Sequence, residues 1–542
     1  MPGKSATRVL QGLGQVVEVL VSKQQPIIAQ KLARMQYHMT ELIHLMAELK
    51  DDWSRQRPPK EASNNSKDKV VVVDPIGFAS IPDSEENRIK DKANINTKNM
   101  KESTVPASQM ARLWNFGTLA TRLAVNMAAE RVTSSNSSSG MSDANADILS
   151  NALCRMRGAA LKLGQMLSLQ DETTLPPSLQ RALQRVKEAA DYMPQTQLEA
   201  QLESQLGSNW RSKFKDFDMK PIAAASIGQV HKGTLLDGTA VAIKLQYPGV
   251  ADSIDSDLNN LKHVVTMTNI LPPGLFIDQI INVAKSELAL ECDYELEGRS
   301  QSKYREFILN DPVLSKYTYV PAVYSENSTK RVLVSELISG VSIDKAVNLS
   351  QPIRNAIART VLYMTVKELF SWRFIQSDPN YGNFLYDDEK RVINLIDFGA
   401  AREYSKPFVD GYMQLVWAAA NNDRETISNV SRKLNFLTGD ETVEMVDAHI
   451  ETGLVVGEPF RSNEPYDFAN AKLTERISKY GDVFMKYRLT PPPTEAYSLH
   501  RKLAGAFSLA IKLKANIVCR DILENEFKSY VFDAENSEKE EK

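Results

Sequence analysis

The sequence predicts an α+β protein of two lobes, a small strand-rich one ahead of a large helix-rich one, and three observations lead there. An apolar hairpin strand ends in an inward lysine at Val241-Ala242-Ile243-Lys244. A polar cluster, Ser377-Asp378-Pro379-Asn380-Tyr381-Gly382-Asn383, is followed at hairpin distance by Asp397-Phe398-Gly399. Between Ala146 and Val531 the chain is dense in regular pattern, with no long low-complexity gap and no fixed-period repeat.

Composition sets the outer limits. The 542 residues include 65 Lys plus Arg against 68 Asp plus Glu, with 42% apolar and 25% charged side chains, which excludes collagen-like, mucin-like, disulfide-scaffold and polytopic-membrane classes. A net charge of −3 without a sustained basic stripe argues against nucleic acid as a partner, because neutralising phosphates needs clustered Lys and Arg. Cys154, Cys292 and Cys519 form no C-x-x-C pair, so neither a disulfide framework nor a zinc site is indicated and a reducing compartment is expected.

Ahead of the body, residues 1–51 read as a targeting and helical segment. Met1 to Val17 carries Lys4 and Arg8 but no acidic residue before Glu18, a pattern shared by weak organelle-targeting helices and ordinary amphipathic ones. Residues 52–109 are polar and read as disordered linker. Residues 110–145 hold a membrane-proximal helix and a Ser-rich connector. Leu113 to Ala129 is apolar-leaning but interrupted by Arg122, which favours a membrane-surface or protein-packed helix over a spanning one. The rest divides into a helical extension (146–220), a small lobe (221–338), a large lobe (339–532) and a charged tail (533–542).

In phosphoryl transfer of the protein-kinase type, an Asp orients the nucleophile or accepts its proton, an Asn five residues later holds one magnesium, and the Asp of Asp-Phe-Gly holds the other. Asp378 and Asn383 have that spacing, and a short hairpin through Phe384-Leu385-Tyr386 and Val392 to Ile396 returns the chain to Asp397. Lys244 occupies the place of the lysine that pairs with the α- and β-phosphates and with a helix Glu. Glu291, at the end of the helical run Asp278 to Glu291, is assigned as that partner; Glu287, one turn earlier, is assigned as a solvated surface charge. Ala223-Ala224-Ala225-Ser226, ahead of the lysine hairpin, stands where a phosphate-covering loop belongs, with alanines in place of glycines; Ala takes φ > 0 only at a cost, so nucleotide binding is expected to be altered rather than abolished. Ser335-Glu336-Leu337-Ile338, running out of an apolar strand, is placed as a hinge whose backbone bonds adenine. His231 is read as a surface residue and His500 as part of large-lobe structure.

This order of motifs resembles the UbiB/ADCK/Coq8 family of atypical, protein-kinase-like proteins, and Lys162-Leu163-Gly164-Gln165 is similar to the family's Lys-x-Gly-Gln signature. The resemblance covers roughly residues 110–530. It implies a bilobal protein-kinase-like fold with an N-terminal helical extension inserted over the cleft, where a peptide substrate would otherwise dock. On one helix from about Ala146 to Leu169, Gly158, Lys162 and Gln165 share a face, and Lys162 is expected to meet Glu291 and Asp293 across the cleft. Lys162, Gly164, Gln165 and Asp293 are thereby regulatory candidates. Gln376-Ser377 replaces the His-Arg of protein kinases and no Ala-Pro-Glu follows Asp397-Phe398-Gly399, so a peptide platform is expected to be absent.

The resemblance implies an ATP-binding, magnesium-dependent kinase or ATPase that supports coenzyme Q biosynthesis on the matrix side of the mitochondrial inner membrane, acting on water or on a small or lipid-like molecule. Expected partners are ATP, lipid or coenzyme Q precursors, a membrane surface, other coenzyme Q biosynthesis proteins and a second copy of the chain. A nucleotide-dependent scaffold for lipid-modifying enzymes is the alternative, and a conventional protein kinase the third reading.

Overall fold

Period-two alternation builds the small lobe. In the computed structural model, which describes residues 75–78, 81, 102–105, 112, 114–119, 121–123, 125–126, 142–156, 158, 192–268 and 277–533, strands β1 (Phe214–Phe217), β3 (Gly228–Leu235), β4 (Ala240–Gln246) and β6 (Val332–Glu336) form an antiparallel sheet in that order. The short β2 (Ala223–Ala224) pairs with β3. In β4, Val241, Ile243 and Leu245 are fully buried on one face, which leaves Ala242 and Lys244 on the other. The sheet begins with β1, inside the stretch expected to be helical extension.

Among the described residues, α1 (Asp143–Met156) and α2 (Gln195–Leu206) lie ahead of the sheet in sequence, and α3 (Val250–Thr268), α4 (Ile277–Glu291) and α5 (Tyr294–Asn310) follow β4. The break between α4 and α5 has a local cause: Asp293 has extended backbone and its carboxylate accepts the Leu296 N–H at 3.0 Å, so it caps a new helix. The single helix expected from Ala146 to Leu169 does not form, because Gly158 sits at φ +58, a left-handed conformation that ends a helix cheaply only at glycine. Lys162, Gly164 and Gln165 themselves lie outside the described residues, as does the targeting and helical segment expected at 1–51.

The helical stretch between 112 and 126 packs into the small lobe through Phe116, Leu119 and Leu123, and the buried Arg112 guanidinium pairs with Asp257 at 2.7 Å. No helix among the described residues is long and apolar enough to cross a membrane. Parts of the expected linker are also anchored. Ile76, Phe78 and Ile81 are buried in the core of the large lobe, with the Phe78 ring 5.1 Å from Tyr317, and Arg359 and Arg391 bond the carbonyls of this strap. Val105 exchanges two 3.1 Å hydrogen bonds with the Gln197 side chain.

The large lobe is organised around α6 (Gln351–Phe370), which enters with a proline in its first turn and is buried on most of its circumference. Small sheets lie at its cleft end: β5 (Thr318–Tyr319), β10 (Val392–Leu395), β9 (Phe384–Asp387) and β7 (Val341–Ser342) in one, β8 (Phe374–Gln376) with β11 (Ala401–Glu403) in another. Helices α7 (Lys406–Ala420), α8 (Arg424–Lys433), α9 (Val443–Gly457), α10 (Thr494–Lys512) and α11 (Arg520–Ser529) complete it; two shorter helices lie between α9 and α10. Glu368 of α6 and Lys502 of α10 pair at 2.9 Å in the core, and Glu368 also accepts the Tyr304 hydroxyl.

His231 is fully buried in β3, not on the surface. The Gln229 oxygen accepts the Met193 N–H at 2.8 Å, so the Gln229 amide nitrogen donates to His231 Nε2 and His231 Nδ1 must donate to the Asp218 carbonyl. Burial holds the imidazole pKa below its ordinary value, against the pull of Asp218. The folded chain keeps His231 neutral where the unfolded chain protonates it, so this stability is present above a pH of about 6.5 and is lost as pH falls below it. Thermal unfolding at pH 7.5 and 5.5 is expected to show a larger acid loss for the unmodified chain than for His231→Asn.

Candidate active site

Lys244 reaches across the cleft. Its Nζ lies 2.7 Å from Glu297 Oε1 and 3.0 Å from Asp397 Oδ2, with the Lys244 side chain 12% exposed and Glu297 fully enclosed. The helix partner of Lys244 is therefore Glu297, in the first turn of α5, and not Glu291. The capped start of α5 swings the backbone after Glu291, and Glu291 instead accepts the Ser226 hydroxyl at 3.2 Å. Asp293 is a helix cap. Glu287 is also not a solvated charge: it is 3% exposed and pairs with Arg501 and Arg402.

Burial opposes the Lys244 ammonium, but Asp397 and Glu297 outweigh it and leave its pKa well above the usual lysine range. Burial pushes the Glu297 carboxyl up to about 7, against the attraction of Lys244. One ammonium between two carboxylates leaves a surplus negative charge in a poorly solvated cleft, a place where a divalent cation is favourable.

The catalytic-loop residues converge on the same place through backbone bonds. β9 and β10 form the expected hairpin, registering Phe384 with Leu395, and the Ile396 N–H donates to the Asn383 carbonyl at 3.1 Å, which brings Asn383 beside the start of Asp397-Phe398-Gly399. The Asn383 amide donates to Asp378 Oδ2 at 3.0 Å, and Asp378 Oδ1 accepts the Asn380 N–H at 3.3 Å. Gln376 donates to the Asp397 carbonyl at 3.2 Å, while the Ser377 N–H and hydroxyl both donate to the Ala400 carbonyl. Phe398 is buried 5.0 Å from the Tyr304 ring, and the Gly399 N–H bonds Asp397 Oδ1. Lys244 and Asp397 thus meet in one crevice, with Asn383 and Asp378 joined to it through the β9–β10 hairpin.

The alanine-bearing loop folds back on the small-lobe sheet. Ala223 and Ala224 pair with Val230 and Gln229, the Ala225 N–H donates to the Gly228 carbonyl at 2.7 Å, and the Gly158 N–H donates to the Ser226 carbonyl at 2.9 Å. The Ala225 amide is thus engaged within its own turn. Gly158 thus joins the segment after α1 to this loop. In the hinge, the Glu336 N–H bonds the Ala322 carbonyl and the Leu337 N–H bonds the Ala240 carbonyl, while the Glu336 carboxylate accepts the Tyr319 hydroxyl at 2.6 Å. Ser335 pairs with Ala242, and Ile338 follows directly on the strand end. Any base contact made at this hinge falls to other backbone groups of the stretch.

Among the described residues no three His, Cys, Asp or Glu gather as a metal cluster. The donor set is one carboxylate, Asp397, and one amide, Asn383, which suits magnesium, an ion that takes one or two protein oxygens and completes its octahedron with phosphate and water. A lysine held charged beside that carboxylate suits the phosphates.

The ABC1 atypical kinase-like domain matches residues 185–431. The chain is 45% identical over 441 residues to the zebrafish (Danio rerio) atypical kinase COQ8B, mitochondrial, covering 79% of this chain and 70% of that protein. It is 39% identical over 457 residues to the atypical kinase COQ8, mitochondrial, of Saccharomyces cerevisiae, covering 83% and 90%. A solved structure, the Rv3197–erythromycin complex of Mycobacterium tuberculosis, aligns with a TM-score of 0.47 at 22% identity over 70% of this chain and 94% of that one. Relatives this similar, sharing most of both lengths, place the chain in the UbiB/ADCK/Coq8 family of ABC1 atypical kinases.

Proposed function

We propose that the chain binds Mg-ATP in this crevice and supports coenzyme Q biosynthesis in mitochondria, passing the phosphoryl group to water or to a small or lipid-like acceptor rather than to proteins. The observation that carries the reading is the contact of Lys244 with both Glu297 and Asp397, because it joins the phosphate-holding lysine to the metal-holding carboxylate. A magnesium ion held by Asp397 and Asn383 would supply positive charge to offset the negative charge that develops on the transferring phosphoryl group. Lys244 holds the phosphates and Glu297 fixes its position. Asp397 and Asn383 supply the metal oxygens, and Asp378 orients the attacking oxygen and accepts its proton.

Two features favour a non-protein acceptor. The Gly158 N–H donates to the Ser226 carbonyl of the alanine-bearing loop, which ties the segment after α1 to that loop and supports a helical extension lying on the side from which a peptide would enter. Beyond Asp397-Phe398-Gly399 the chain pairs at once as β11 with β8 and enters α7, with no extended platform between. The partners that follow are ATP, lipid or coenzyme Q precursors, other proteins of that pathway and the matrix face of the inner membrane.

Asp397→Asn tests the site. It removes a ligand charge, so magnesium-dependent ATP binding measured calorimetrically is expected to weaken by roughly 10-fold or more, with metal-free binding much less affected. An unchanged magnesium dependence overturns the assignment.

A further inference from the structure

The catalytic loop lacks the arginine that precedes the catalytic Asp in protein kinases, since Gln376-Ser377 stands there. An arginine from elsewhere arrives instead. Arg501, on α10 of the large lobe, directs Nε to the Ser377 carbonyl at 3.2 Å and Nη2 to the Ser377 hydroxyl at 3.3 Å. Its fork is closed on the other side by Glu287 of α4, a small-lobe helix, with bonds of 3.0 and 2.9 Å to the two carboxylate oxygens. The Arg501 side chain is 13% exposed and Glu287 2%. Arg402 of β11, just beyond Asp397-Phe398-Gly399, reaches the same carboxylate at 3.2 Å.

One turn along α10, Gly505 lets the loop seat directly on the helix: a Cβ there would lie 2.2 Å from Pro379 Cβ. Asp378 is therefore flanked on both sides by residues resting on α10, Ser377 through Arg501 and Pro379 through Gly505. A bidentate, poorly solvated Arg–carboxylate pair is directional as well as strong, and Lys cannot reproduce its fork.

We propose that Arg501 and Glu287 form a clasp between the lobes that positions Asp378, with Arg402 joining the clasp to the segment carrying Asp397. The two are positioning residues, acting through the Ser377 backbone. The orientation of Asp378 then depends on where α4 sits, so any ligand that shifts α4 alters turnover without touching the nucleotide. This inference rests on reading Asp378 as the residue that faces the reacting oxygen.

The test uses the full chain and the variants Glu287→Gln, Arg501→Gln and Arg501→Lys. Three quantities are read: equilibrium Mg-ATP affinity, steady-state kcat and KM, and hydrogen exchange of the peptide covering 376–383 without nucleotide. Arg501→Gln is expected to lower kcat at least 30-fold with ATP affinity within three-fold of the unmodified chain, and Arg501→Lys to recover only part of the loss. Glu287→Gln, nearly isosteric and on the other lobe, is expected to speed exchange in 376–383 while leaving β9 and β10 unchanged. The clasp is refuted if Glu287→Gln leaves that exchange as it was. It is also refuted if kcat, affinity and exchange across the whole large lobe are lost together, the signature of a merely structural pair. If the unmodified chain turns over no ATP, the proposed function fails, while the exchange comparison still decides the clasp.

Discussion

Asp378→Asn is expected to lower phosphate release from ATP by roughly 10²- to 10⁴-fold, the span by which a positioned acid or base contributes to rate, and to leave Mg-ATP affinity nearly unchanged. Asp378 is half-buried and held by its own loop, through the Asn383 amide and the Asn380 N–H. The substitution keeps the shape, but the new amide cannot accept a proton, and if its NH2 turns toward Asn383 two donors face each other. Single-turnover release with saturating nucleotide is the direct measurement. Turnover within two-fold of the unmodified chain would remove Asp378 from the chemistry, and loss of affinity in step with rate would make it a binding residue.

Glu297→Gln is expected to weaken ATP binding at least 10-fold and to cost about 3 kcal/mol of small-lobe stability, since breaking a buried pair by deleting one charge costs about 3–5 kcal/mol and Asp397 still compensates Lys244 in part. Glu291→Gln is expected to disturb ATP affinity much less, because the Lys244 ammonium is held by Glu297 and Asp397. The contrast separates two carboxylates six positions apart. Isothermal titration with Mg-ATP and thermal unfolding of both variants read it out, and a larger affinity loss for Glu291→Gln would return the partnership to that residue.

What the sequence makes legible is local. Lys244 lies within a strand whose alternation announces which face it occupies, and Asp378, Asn383 and Asp397 are joined by one hairpin, so their spacing brings them close. Glu297 was hidden behind a helix boundary. The signal was present in Asp293, a capping residue followed by Glu295 and Glu297 in the first turn, and it marks a second helix rather than the fraying end of the first. Gly158 carried a similar warning: read as a small residue on a continuous helix, it is the left-handed stop that ends the helix. Glu287 had no such signal. Its partners, Arg402 and Arg501, lie 115 and 214 positions away, and only the closed fold makes it a buried ion pair instead of a wet surface charge.

The strap at 75–81 bears on how the chain tolerates trimming. Versions beginning after residue 82 strip Ile76, Phe78 and Ile81 from the large lobe, each worth roughly 1.5–3 kcal/mol when fully enclosed, uncover the Tyr317 and Tyr386 rings that pack on Phe78, and remove the strap carbonyls that Arg359 and Arg391 bond. Such fragments keep every nucleotide-facing residue and still acquire a sticky apolar scar, so their poor solubility would report on proteolytic boundary choice and say nothing about catalysis.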